Sequence, residues 1–162
     1  MDILTTKGQI SLTDERIVAQ WIEKNFDFLY IETPKNSPAL IDAILIGKIN
    51  KEIKGIIETK CRYKLTLEKF KTSFQNEWLV TWSKVHNAIQ IADSLGVPCF
   101  GFLYLVDEKT LLTQKLSEPN GKLNVKIRLE TTETQATING GKAIRTNAFI
   151  NMSSAQVHNL KE

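Results

Sequence analysis

Gly55-Ile56-Ile57-Glu58-Thr59-Lys60-Cys61 reads as a short strand that carries two charges among residues suited to a core. Side chains along a strand alternate between faces, so Glu58 and Lys60 share one face and Thr59 takes the other. Upstream, Leu40-Ile41-Asp42-Ala43-Ile44-Leu45-Ile46-Gly47 is an apolar run broken only by Asp42 and closed by Gly47. Burying an ionised carboxylate is expensive unless a cation compensates it. The two stretches therefore predict neighbouring strands, with Asp42 in mid-strand, that gather Asp42, Glu58 and Lys60 in one place.

Working outward, residues 26–32 read as a strand ended by Thr33-Pro34, followed by the loop 35–37. With 40–46 and 55–61 it predicts a three-stranded meander buried on both faces at its centre. Ahead of it, residues 11–14 read as a helix cap before Ile17, Val18, Trp21 and Ile22 at helical spacing. Beyond it, Trp78, Trp82, Val85, Ile89 and Ala92 form the apolar stripe of a long helix, flanked by Thr81, Ala88, Ile91 and Leu95. Gly96 stops that helix, and 100–106 is an apolar strand after Val97-Pro98. The order helix, three strands, helix, strand is an α/β arrangement with a mixed central sheet. From residue 110 to about 151 the character changes. Segments 111–116, 123–129, 134–138 and 143–150 alternate like exposed antiparallel strands, with turns at Asn120-Gly121 and Asn139-Gly140. They predict a C-terminal antiparallel β extension of the same domain.

The chain has 162 residues, enough for one domain with a real core, and its 42% hydrophobic and 24% charged residues are ordinary for a globular protein. No apolar run approaches the roughly 18 residues of a membrane span, and residues 1–9 do not read as a signal peptide. The expectation is a cytoplasmic protein without a membrane partner. Cys61 and Cys99 lie far apart, and only His86 and His158 could join them in a zinc site, so reduced, half-buried thiols are expected. The net charge of +3 is mild. Its distribution is more informative: eight cations fall between Lys48 and Lys71, and Lys122, Lys126, Arg128, Lys142 and Arg145 follow later. Such clusters suit a polyanion, although solvated faces look the same.

Two carboxylates converging with an amine suit Mg²⁺, which usually keeps several waters and binds through one or two carboxylates plus a substrate phosphate. The expected ligands are Asp42, Glu58 and the main-chain carbonyl of Thr59. A metal there activates water and neutralises charge on a phosphodiester, and Lys60 stands beside it to orient the water or stabilise the transition state. No histidine is required. Mn²⁺ is expected to substitute.

Ile41-Asp42, fifteen intervening residues, then Glu58-Thr59-Lys60 resembles the PD-(D/E)xK nuclease superfamily, which includes restriction endonucleases, archaeal Holliday-junction resolvases and phage exonucleases. The resemblance covers about residues 11–106 and implies a restriction-endonuclease-like αβββαβ core. It also implies metal binding by Asp42 and Glu58, catalytic assistance by Lys60, and hydrolysis of DNA, with an endonuclease as the expectation. Resolvase-like members add an acid on the first helix, here Glu15, with Asp14 as the rival. Ile41 replaces the family's proline, and Gln90 lacks the tyrosine four residues on that the exonuclease branch carries. Enzymes that cut two strands tend to be two-fold dimers, and the β extension is a candidate for that interface or for gripping DNA.

Each residue also has a plainer reading. Glu58 and Lys60 could form an exposed cross-strand ion pair, and Asp42 could cap a turn or pair with a lysine. Lys84, on the long helix, reads as a solvated lysine, with a phosphate-facing role as the alternative; His86 reads as a helix-surface residue, and Trp78 and Trp82 as core, with base stacking as the alternative. A non-catalytic nucleic-acid-binding or assembly module is the rival functional class, and RNA remains open as the ligand.

Overall fold

Ile53, Ile56, Ile57 and Thr59 give one segment four β-branched residues, which favour a pleated, packed strand. That strand is the centre of the molecule. The computed structural model describes residues 6–37, 39–134 and 142–161. Its elements are α1 (Thr6–Asn25), β1 (Phe28–Glu32), β2 (Ala43–Gly47), β3 (Ile53–Arg62), α2 (Leu67–Thr72), β4 (Glu77–Thr81), α3 (Trp82–Leu95), β5 (Cys99–Leu105), β6 (Thr110–Ser117), β7 (Ile127–Thr134), β8 (Ala143–Asn151) and β9 (Gln156–Asn159). A mixed six-stranded sheet runs β1-β2-β3-β5-β6-β9, and a three-stranded sheet runs β4-β8-β7. Within the large sheet, β3 and β5 pair in parallel and the other neighbours are antiparallel. A parallel pair needs a long crossover, supplied here by α2, β4 and α3.

The large sheet is covered on both faces. α1 packs Val18, Ala19 and Ile22 against Tyr30, Ala43, Leu45, Ile57, Cys61, Phe102 and Tyr104 on one face. On the other, α3 and the small sheet bring Val85, Ala88, Ile89, Trp78, Val80 and Ile150 against Ile56, Leu103, Leu105, Leu112 and Leu116. This double cover makes β3 almost wholly buried from Gly55 to Thr59. Among the described residues, no helix is long and apolar enough to cross a membrane.

Several sequence expectations are corrected. α1 already includes Thr6, so residues 11–14 lie inside the helix rather than capping it. β1 begins at Phe28, because the Phe26 N–H still bonds to the Ile22 carbonyl at the helix end. Trp78 belongs to β4, where Trp78 and Val80 alternate inward, and the helix starts only at Trp82. β4 runs into α3 without a loop, so the spacing from Trp78 to Trp82 mimics one helical turn. The short helix α2, capped by Thr66 accepting from the Lys69 N–H, is an addition. Gly96 does end α3, at φ +65° with its N–H returned to Ala92 and Asp93.

The C-terminal third is not one exposed extension. β6 is largely buried and joins the large sheet beside β5, and β9 pairs with β6. β7 and β8 pair with each other, and β8 also pairs with β4. The segment expected at 123–129 becomes a strand only from Ile127. Most of 134–138, and the turn at Asn139-Gly140, lie outside the described residues. Cys61 and Cys99 are fully buried free thiols rather than half-buried ones, and burial pushes the Cys99 thiol up to about 12.

Candidate functional site

The last paired residues of β2 and β3 are Ala43 and Ile57. Beyond them β3 continues to Arg62 with β5 alone beside it, and the opposite edge is released. Asp42 stands at that fork, one residue before β2 rather than in mid-strand, because the chain turns away there. Its N–H still reaches the Ile57 carbonyl at 3.3 Å. Its carboxylate then folds over the freed edge, where Oδ2 accepts the Thr59 N–H at 2.9 Å. The N–H and C=O of one strand residue point to the same edge, so the Thr59 carbonyl also faces Asp42.

Glu58 lies next along β3, completely buried on the α3 face. Neither of its carboxylate oxygens receives a hydrogen bond. The Lys60 ammonium approaches to 3.9 Å, which is an ion contact but too long for a hydrogen bond. Asp42 is better served: Lys84 Nζ is 3.0 Å and Lys35 Nζ 3.8 Å from Oδ1. Glu15, on α1, joins through Lys35 at 3.3 Å. Asp14, its rival, turns instead to the Tyr63 hydroxyl, which donates to it. Thr59, on the other face, shares a buried hydrogen bond of 2.8 Å with the Tyr30 hydroxyl.

The electrostatics follow this geometry. Burial, and then the neighbouring Asp42 charge, push the Glu58 carboxyl from its ordinary 4.5 up to about 8, against the pull of Lys60 and Lys84. Burial would also raise Asp42, but Lys84, Lys60, Lys35 and the Thr59 N–H outweigh it and lower its pKa. Glu15 is raised, chiefly by burial, with Lys35 opposing. For Lys84, burial disfavours the ammonium, yet Asp42 and Glu58 win and its pKa rises. The paired carboxyls are thus pushed apart, one held ionised and the other biased toward its neutral form.

Asp42, Glu58 and Lys60 are therefore brought together, with Glu15 at the margin. The plainer expectation that Asp42 pairs with a lysine is met by Lys84 and Lys35, neither of which the sequence singled out as that partner, and the expectation of a solvated Lys84 is corrected by its contact with Asp42. Nothing local in the sequence distinguishes Lys84 from a surface lysine, because its partner lies 42 residues away.

Beside Lys60 and Lys84 opens a cleft of about 560 Å³ between the large sheet and the small one. It is lined by Lys60, Lys84, Arg145, Thr146 and the start of α3 at Thr81, Trp82 and Ser83. Among the described residues it has three cations in its wall and no carboxylate. The Thr81 side chain makes no capping bond, so the first turn of α3 adds main-chain N–H groups to an already positive wall.

Among the described residues, no three His, Cys, Asp or Glu side chains are grouped to hold a metal by themselves. The candidate donor set is smaller: two carboxylates and the Thr59 carbonyl. That set fits Mg²⁺, which takes hard oxygens and retains waters, and not a structural zinc. The buried Glu58 carboxyl, with no hydrogen bond and Lys60 only at 3.9 Å, is the group whose ionised form a cation would stabilise most. Compared with known proteins, the chain matches no family model and no curated protein.

Proposed function

We propose that this chain is a Mg²⁺-dependent deoxyribonuclease, an endonuclease built on a restriction-endonuclease-like core of α1, β1, β2, β3, α3 and β5. In this reading α2 and β4 interrupt the core between its third strand and second helix. The observation that carries the proposal is the Glu58 carboxyl, wholly buried and without a hydrogen bond, near Asp42 and behind Lys60 and Lys84, which line a three-cation cleft.

Asp42, Glu58 and the Thr59 carbonyl would hold Mg²⁺, with Mn²⁺ as a substitute. Bound there, the ion supplies charge neutralisation at the phosphodiester and a more acidic water. Lys60 orients the attacking water and offsets charge in the pentacovalent transition state. Lys84 and Arg145 hold non-bridging phosphate oxygens in the cleft. Glu15 fixes Lys35, which in turn holds Asp42.

Nicking of supercoiled plasmid tests the reading. Wild type should cut with Mg²⁺ and stop in EDTA, and E58A and K60A should each lower the rate by about 100-fold or more. The second reading, a non-catalytic binding module, is favoured by the Lys84–Asp42 pair at 3.0 Å, which satisfies Asp42 without a metal. Wild type that binds DNA and cuts no form of it establishes that second reading and removes the first.

A further inference from the structure

Trp82 is the aromatic residue of the cleft, and neither metal binding nor phosphate binding uses it. A tryptophan is normally among the most deeply covered side chains, and Trp78, four residues earlier, is fully buried. Trp82 instead remains half-exposed in a wall that otherwise presents Lys60, Lys84 and Arg145. Part of its ring packs against the core beneath α3, and the exposed His86, one helical turn on, lies with its ring centroid 5.2 Å away at a 43° tilt. The rest of the half-exposed indole lines the cleft. An apolar plane set among cations is what an unpaired nucleotide needs, because its base offers a π-face and its backbone a charge. A paired base in a duplex has both faces stacked already and cannot reach such a plane.

The volume agrees. About 560 Å³ falls within the roughly 300–1,000 Å³ of sites that enclose one small ligand. It is room enough for a nucleotide or two of single strand.

From these observations we infer that the cleft binds unpaired DNA, with a base stacked on Trp82 and the flanking phosphates on Lys84 and Arg145. The inference rests on the nuclease reading for its biological sense and deepens it, naming a single-stranded segment, such as a frayed end, flap or gap, as the form of DNA presented to Glu58. It also explains why the start of α3 is held against β8. Thr81 pairs with Asn147 across the small sheet, which sets Trp82 opposite Arg145 and Thr146.

The test is binding in EDTA, where cutting is silent. Fluorescein-labelled oligo(dT) and a blunt duplex of equal length are compared by anisotropy with wild type, W82F and W82L. Stacking predicts that wild type prefers the single strand by about tenfold, that W82F keeps most of this preference, and that W82L loses it while duplex affinity stays unchanged. Circular dichroism melting shows that both variants fold. Indole fluorescence should also be quenched by oligo(dT) in wild type and less so in W82F. Equal affinity for the two DNAs, no binding of the single strand, or equal weakening of both by W82L overturns the inference. Failure of plasmid nicking together with a Trp82-dependent single-strand preference removes only the nuclease reading. Nicking without that preference removes only this one.

Discussion

At the scale of single residues, Glu58 carries a conflict between stability and use. The folded protein holds its carboxyl pKa near 8, chiefly by burial, against an ordinary 4.5. An acid whose folded pKa is raised binds its proton more tightly in the native state. Its influence is neutral below the ordinary value and becomes destabilising as pH climbs from there to the folded value, where it levels off. Asp42 runs the other way, since its lowered pKa supports the fold above the ordinary range and that support is lost on acidification. In EDTA, E58Q should therefore gain stability over wild type by roughly 1–3 kcal/mol at mildly alkaline pH and little or nothing near the ordinary carboxyl range. Urea unfolding at both pH values measures this. An E58Q protein no more stable than wild type at the alkaline value contradicts the burial argument. Mg²⁺ should narrow the difference by stabilising wild type alone.

At the scale of elements, Gly101 shows how the sheet admits the layer above it. Gly101 stands on β5 between Glu58 of β3 and Gln114 of β6. A Cβ there would lie 2.5 Å from the Trp78 ring and 3.1–3.2 Å from the Leu116 methyl carbons. Trp78 is fully buried, so its ring has nowhere to move. G101A should cost about 1–3 kcal/mol of stability by overpacking, read by thermal or urea denaturation, and an unchanged midpoint would show that the β4 layer is loosely seated. The same region explains what the sequence could and could not disclose. The meander and the Gly96 stop were legible because alternation, apolar runs and a left-handed glycine are local signals. Trp78 was misassigned because β4 passes into α3 at Thr81 with no breaker, so a strand and a helix share one four-residue spacing. The alternation of Trp78 and Val80 with Leu79 and Thr81 was the available clue. β6 looked like an exposed strand because Thr113 and Lys115 interrupt it, whereas burial is decided by β5 and β9 on either side. Asp42, Glu58 and Lys60 could be read because charges inside apolar runs stand out. Lys84 could not, because its meaning depends on tertiary contact.

At the scale of the whole molecule, the positive clusters of the sequence divide into those that reach the site and those that do not. Lys48 and Lys51 belong to the β2–β3 turn and Lys54 to the first residues of β3, the end of the hairpin opposite the Asp42 fork. There Lys48 donates to the Glu23 and Phe26 carbonyls and Lys54 pairs with Glu52. In the second cluster, Arg128 is committed to Glu77 and Glu130, and Lys142 to Glu133. Arg145 has no such partner among the described residues and lies in the cleft wall with Lys60 and Lys84. Linear density of charge in the sequence is thus a poor guide, and the positive wall of the cleft is assembled from three separate elements. This assembly has a measurable signature. Each phosphate neutralised by a protein cation releases condensed counterions, giving a slope of about −0.7 in log affinity against log salt for single strands and about −0.9 for duplex. If the cleft is where DNA lies, R145A should flatten that slope by nearly one phosphate's worth and weaken binding at low salt about tenfold. K54A, which alters the same net charge at the far end of the hairpin, should leave the slope alone. Anisotropy titrations across a salt series in EDTA separate the two variants, and equal effects of K54A and R145A would mean that DNA responds to overall charge rather than to this cleft.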